Sequence, residues 1–178
     1  NWGGGLQVSD GAYVDIINCT FSNNSAGSGG GALYTCYSDA KAFIGNTIMY
    51  DNSPDEIHFD EGCYQDTIQV CYSDIENFDN IIAPPMNSLR FLACCIDQNP
   101  LFADPPSGDY SLQRNSPCID SGTDIWVENG DTLINIPDSL YIGIAPDMGC
   151  HEFDPSVQLF EHAACETPVS LWPQPASD

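Results

Sequence analysis

A repeat constrains this chain more than any other feature. "VDIINCTFSNNSA" (14–26) aligns with "AFIGNTIMYDNSP" (42–54) at an offset of 28 residues, and "GGGLQV" (3–8) recurs as "GGGALY" (29–34). The alignment superposes Asn18 on Asn46, Phe21 on Met49, Asn24 on Asn52 and Ser25 on Ser53. A looser third pass, "TIQVCYSDIEN" (67–77), sets Val70 in the place of Ile16 and Ile75 in that of Phe21. Self-similarity at this period means stacked units, none of which can bury its apolar face alone.

Within each unit the apolar residues alternate: Leu6 and Val8, Val14 and Ile16, Ala42 and Ile44, Ile68 and Val70. Period two reads as strand, and no ten-residue run keeps a helical period. Short strands broken by Gly, Asn and Asp describe the coils of a parallel β-solenoid, in which like residues stack in ladders. Asn18 above Asn46 is expected to be such a ladder, with the amides bonded along the axis. A sandwich of hairpins would need two-residue turns between strands, and Asn129–Gly130 is the clearest of the few present.

With 178 residues and 42% hydrophobic content the chain can bury a sizeable core. Three Lys+Arg (Lys41, Arg90, Arg114) against 26 Asp+Glu give a formal charge of −23. Such a surface repels phosphate backbones and anionic membranes, so nucleic acid is excluded as a partner. No run of apolar residues is long enough to span a membrane. No signal peptide is visible, and the start at Asn1 reads as that of a processed or partial chain. The nine cysteines (19, 36, 63, 71, 94, 95, 118, 150, 165) include no CxxC pair, so zinc-ribbon spacing is absent. Disulfides made in an oxidising compartment are the favoured reading. The odd count leaves one thiol unpaired or paired between chains, and connectivity is not legible.

Residues 3–77 resemble the glycine-rich coils of right-handed parallel β-helix proteins, a family of pectate-lyase-like enzymes and bacterial surface proteins. "NPLFADPPSGDYSLQRNSPCIDSGTD" (99–124), followed by "IAPDMGCHEF" (144–153), is similar to the closing segment of bacterial surface β-helix proteins of the choice-of-anchor Q kind. Cys118 and Cys150 stand where small residues are usual in that segment, and the resemblance implies that they pair, tying the last coil to the terminal strand. "VSLWPQPASD" (169–178) resembles the start of the C-terminal sorting domain of type IX secretion cargo in Bacteroidota, with Gln174 where Asn is usual. It implies that the proline-rich ending, "CETPVSLWPQPASD" (165–178), is a linker plus the start of an export signal. "DTI" (66–68), "DTL" (131–133) and "DSL" (138–140) match the O-glycosylation pattern described for that phylum, so Thr67, Thr132 and Ser139 are candidate glycan acceptors.

A polysaccharide lyase of this fold needs a Lys or Arg base and often calcium, and only Lys41 and Arg90 lie in or near the coils. Lys41 reads more simply as an exposed strand-edge lysine. A glycoside hydrolase needs two carboxylates at a defined separation, and among 26 acidic residues some pair always qualifies. The densest acidic patch is "DEIHFDEG" (55–62), where Asp55, Glu56, His58, Asp60 and Glu61 could ligate calcium or a transition ion, the favoured reading being a solvated loop between coils. No EF-hand, P-loop, nucleophile elbow or HExxH is present. No catalytic, cofactor-binding or metal-ligating residue is therefore assigned.

The expected fold is all-β, a right-handed parallel β-helix of three to five coils with an irregular C-terminal cap. Coils fill 1–97, the cap 98–160, and the linker with its sorting signal 161–178. The expected function is a secreted or cell-surface structural or adhesive module, self-associating through open solenoid ends into a filament or coat, with glycans as further partners. Its route would lie through an oxidising periplasm. The alternative is a polysaccharide-active β-helix enzyme or its carbohydrate-binding part.

Overall fold

The computed structural model describes residues 3–156. The first coil carries β1 (Leu6–Ser9), β2 (Tyr13–Ile17) and β3 (Thr20–Ser22). The second carries β4 (Leu33–Cys36), β5 (Lys41–Gly45) and β6 (Ile48–Tyr50). The third carries β7 (Ile57–Phe59), β8 (Thr67–Cys71) and β9 (Asp74–Ile75), and β10 (Ser88–Ala93) begins a fourth. Parallel pairing sorts them into sheets β1-β4-β7, β2-β5-β8-β10 and β3-β6-β9. The chain is thus a parallel β-helix, with the 28-residue offset as its first coil-to-coil register.

The alternation read from the sequence becomes the core. Leu6, Leu33 and Ile57 stack in register, as do Val14, Ala42, Ile68 and Leu89, then Ile16, Ile44, Val70 and Phe91, and Phe21, Met49 and Ile75. All fourteen belong to one apolar cluster. Burying such ladders stabilises each coil by roughly 25 cal/mol per Å² removed from water. The repeated glycines have a steric cause. A Cβ at Gly4 would sit 2.6 Å from the Gly31 carbonyl, and one at Gly31 would sit 2.5 Å from the Ser53 amide.

The second corner of each coil is built twice over. Asn18, Asn46, Tyr72 and Cys94 all hold left-handed φ between 46° and 50°. The next residue in each coil (Cys19, Thr47, Ser73, Cys95) donates its side-chain hydrogen to the carbonyl two residues back, at 3.2, 2.9, 2.8 and 3.4 Å. Thr47 and Ser73 also accept the backbone N–H of the residue one coil earlier, at 3.3 and 3.1 Å. This hydroxyl-and-thiol spine, not the asparagine pair, carries the bonding along the axis at that corner. Asn18 does stack above Asn46, but its Oδ1 is buried without a partner, and the Asn46 amide turns outward instead. At the third corner an asparagine pair does bond along the axis, Asn24 Nδ2 donating to Asn52 Oδ1 at 2.8 Å.

Residues from 99 onward wrap the outside of the coils. β11 (Phe102–Asp104) and β12 (Asp109–Leu112) form one hairpin; β13 (Ile125–Glu128) and β14 (Asp131–Asn135) form another around Asn129–Gly130. The second hairpin covers the outer face of the β2-β5-β8-β10 sheet, where Ile134 and Trp126 pack on Phe43. Asn46 is the anchor: its Nδ2 donates to the Thr123 carbonyl and its Oδ1 accepts the Thr123 N–H, both at 2.8 Å. Gly122 must be glycine there, because a Cβ would meet Pro146 O at 2.7 Å and Asn46 at 3.0 Å. Asp120 and Asp147 lock the closing phrases together. Asp147 accepts the N–H groups of Asp120 and Phe153 at 2.7 and 2.6 Å, and Asp120 accepts that of Ile144 at 2.8 Å.

Two superposed asparagines therefore have unequal weight. Asn46→Ala is expected to cost about 3 kcal/mol, since it strands two buried backbone groups. Asn18→Ala should cost about 1 kcal/mol, the left-handed backbone penalty. Urea denaturation of the two variants checks this.

Candidate functional site

The sheet β1-β4-β7 stops one rung short of the sheet β2-β5-β8-β10, because residues 78–84 run as a 3-10 turn and loop where a further strand would lie. The shortfall opens a groove of about 500 Å³ along β7. It is lined by Asn52, by 54 to 59 and Glu61, and by Glu76, Asn77, 80 to 82 and Pro84. Pro54, Ile81, Ile82 and Pro84 give it an apolar lip, and Ile82 is 82% exposed. Its polar floor is Asn52, Glu56 and Glu76.

Glu56 is 4% exposed. Its two oxygens accept the Asn52 N–H at 3.0 Å and the Asn52 amide at 2.6 Å, and Glu76, just past β9, hydrogen-bonds it. Burial, with Glu76 adding to it, raises its pKa to about 8, against the opposing pull of the Asn52 bonds. Burial thus favours the protonated acid at Glu56. Asn52 links this pair to the asparagine ladder, donating also to Phe21 O at 2.9 Å. The pair is thus tied into the coil stack on one side and faces the groove on the other.

The acidic patch of 55–62 does not converge. Asp55 hydrogen-bonds His58 Nδ1 at 2.8 Å and accepts the Gly30 N–H, while His58 stacks flat on Tyr34 at 5.7 Å. Glu56 turns inward, Asp60 contacts the Cys63 thiol at 3.5 Å, and Glu61 is exposed on the lip. Among the described residues no three His, Cys, Asp or Glu side chains are arranged to hold an ion. The cations lie elsewhere. Lys41 is exposed at the start of β5, Arg90 is exposed on β10, and Arg114 lies 5.9 Å over the Phe153 ring. No Lys or Arg lines the groove.

Cys118 and Cys150 meet different partners. The buried Cys118 thiol lies 3.3 Å from Asp74 Oδ2, whereas exposed Cys150 donates its N–H to Thr20 Oγ1 at 3.1 Å. The Cys118 carbonyl accepts the Met148 N–H and so joins the same two segments through the backbone. Thr132 and Ser139 are exposed and Thr67 is half-buried within β8. Residues 157–178, with Cys165 and the sorting-signal resemblance, lie outside the described residues. Glu76 escaped the sequence reading, although it directly follows Ile75 in the third repeat and its register was therefore available.

Three buried carboxyls share one sign of pH dependence. Burial raises Asp74 and Asp147 to about 6 each, as it raises Glu56 to about 8. A folded-state pKa above the unfolded one gives stability that is complete below the unfolded value and is lost as pH climbs to the folded one. Unfolding free energy should therefore fall between about pH 4.5 and 8, with Glu56 contributing about 3 kcal/mol of the drop. Glu56→Gln should remove more than half of it, as read from urea midpoints at pH 5 and pH 8.

Comparison with known proteins agrees with the solenoid over a short stretch. Residues 18–36 match the Chlamydia polymorphic membrane protein (Chlamydia_PMP) repeat. In the structure this segment runs from the left-handed corner at Asn18 through β3 and the glycine turn to the end of β4. None of the curated proteins and none of the solved structures matches the chain. The chain is a parallel β-helix protein that carries a stretch similar to a membrane-protein repeat.

Proposed function

We propose that this protein is a structural or adhesive β-helix module, displayed on a cell surface or secreted, that associates end to end through its open coil edges. The observation that carries the reading is the end of the β1-β4-β7 sheet. β7 has no strand on its outer side among the described residues, and the groove beside it is lipped by exposed Ile82 and by prolines. Edge strands of this kind pair with another chain unless they are covered. Joining unlike ends is heterologous association, which propagates into filaments.

The match to a Chlamydia polymorphic membrane protein repeat supports surface display. The resemblance of the last ten residues to a type IX sorting domain supports an exported Bacteroidota protein that passes an oxidising periplasm. Exposed Thr132 and Ser139 suit O-glycosylation better than half-buried Thr67. A polysaccharide-active enzyme finds less support, since the groove lining has neither Lys nor Arg and its two central carboxyls are hydrogen-bonded together.

Charge sets the conditions. At −23 two copies repel, so association should be weak in low salt and strengthen once salt shortens the Debye length to about 3–8 Å. Sedimentation velocity at 20 mM and 500 mM salt should show growth of oligomers with salt, and Ile82→Lys should weaken association about tenfold. A monomer at every salt concentration, with the variant indistinguishable from the parent, would sink the end-to-end reading.

A further inference from the structure

Among the described residues Cys36 and Cys63 are the only two buried cysteines that share one packed cluster, which they form with Tyr34. The backbone brings them together. The β4–β7 ladder continues one bond past Phe59, with the Asp60 N–H donating to Thr35 O at 3.0 Å, which sets Asp60 beside Cys36. A turn closed by the Cys63 N–H on Asp60 O at 3.1 Å then returns Cys63 toward Cys36. Its sulfur accepts the N–H of Tyr37, the residue after Cys36, at 2.7 Å. The Cys36 sulfur accepts the Gln7 side-chain amide from the first coil at 3.0 Å.

We propose that Cys36 and Cys63 are the site of an inter-coil disulfide that staples the second coil to the third at this corner. Hydrogen bonding sets this pair apart from Cys19, Cys95 and Cys118, each of which donates its S–H. Cys19 and Cys95 donate their S–H to Ile17 O and Ala93 O, and oxidation would remove that donor from the corner spine. Cys36 and Cys63 are held by N–H groups pointing at their sulfurs, and a disulfide sulfur still accepts those bonds. Only the long 3.5 Å contact from Cys63 to Asp60 would be given up. Burial also raises the Cys36 thiol above its ordinary pKa, so the closed coil protects it from exchange and the bond must form while the corner is still open.

The oxidant is a disulfide, either a small molecule or an exchange protein. One cysteine thiolate attacks it, forming a mixed disulfide and expelling one thiol. The second cysteine thiolate then attacks the protein-side sulfur, closing the Cys36–Cys63 bond and expelling the other thiol. Two protein thiols and one oxidant disulfide become one protein disulfide and two thiols, so electrons and protons balance.

The test is peptide mapping of the full chain after refolding with oxidised and reduced glutathione, with free thiols alkylated under denaturing conditions. Cleavage after acidic residues releases Cys63 in 62–66, apart from Cys71 in 67–74, and chymotryptic cleavage after Phe21 separates Cys19 from Cys36. The expected result is a 62–66 peptide linked to the Cys36 peptide, with a mass about 2 Da below that of the two thiol peptides together. In Cys36→Ala one further thiol, Cys63, should become alkylated. Alkylated Cys63 in the parent, or Cys63 linked to any other cysteine, would overturn the proposal.

Discussion

Every coil turns its second corner on one local bond, a side-chain O–H or S–H returned to the carbonyl two residues behind it. Cys19, Thr47, Ser73 and Cys95 all make it. The left-handed residue before each would otherwise leave backbone groups unpaired inside the turn. Because the same oxygen also accepts an N–H from the coil before, the bond that makes one corner sets the height of the next. Sheet register, core ladders and the seat of the closing segment at Asn46 all follow from that regular spacing. Cysteine serves in place of serine or threonine at two of the four positions, as its thiol is a weak donor of similar reach.

The closing segment then converts an open stack into a unit with two outer faces covered. It contributes little sheet of its own. Instead it attaches at Asn46, which bonds the Thr123 backbone, and is held together within by Asp147, which bonds Asp120 and Phe153, while Asp74 holds Gln98 at its start. Such groups are buried at a desolvation cost that their hydrogen bonds must offset. Burial raises the pKa of Asp74 and Asp147, so the segment holds best where these acids are least charged. The same holds for Glu56 at the groove, and the net charge of −23 acts in the same direction. Its fold is therefore expected to be more stable at mildly acidic pH and in higher salt.

A solenoid of unequal sheets has a ragged end, and here the short sheet leaves β7 beside a groove with an apolar lip. At its floor Glu56 is hydrogen-bonded to Asn52, and Glu76 accepts the Asp51 N–H. An end of this kind suits continuation of the stack by another strand-bearing surface, in keeping with a repeat-built surface module.

The sequence by itself determined the strands, their inward faces and the stacking order. Period two and a 28-residue recurrence are local, and each coil obeys them without reference to distant residues. It also marked the Asn129–Gly130 hairpin, because a two-residue turn with both φ positive has few chemical solutions. Side-chain commitments across long separations belonged to the tertiary structure. Asn46 looks equivalent to Asn18 until the closing segment, 77 residues away, brings Thr123 to one of them alone. Glu56 reads as part of a solvated acidic patch until the coil turns it under Asn52 and against Glu76. Which polar group is buried depends on the path of the chain that covers it, and no periodicity carries that path.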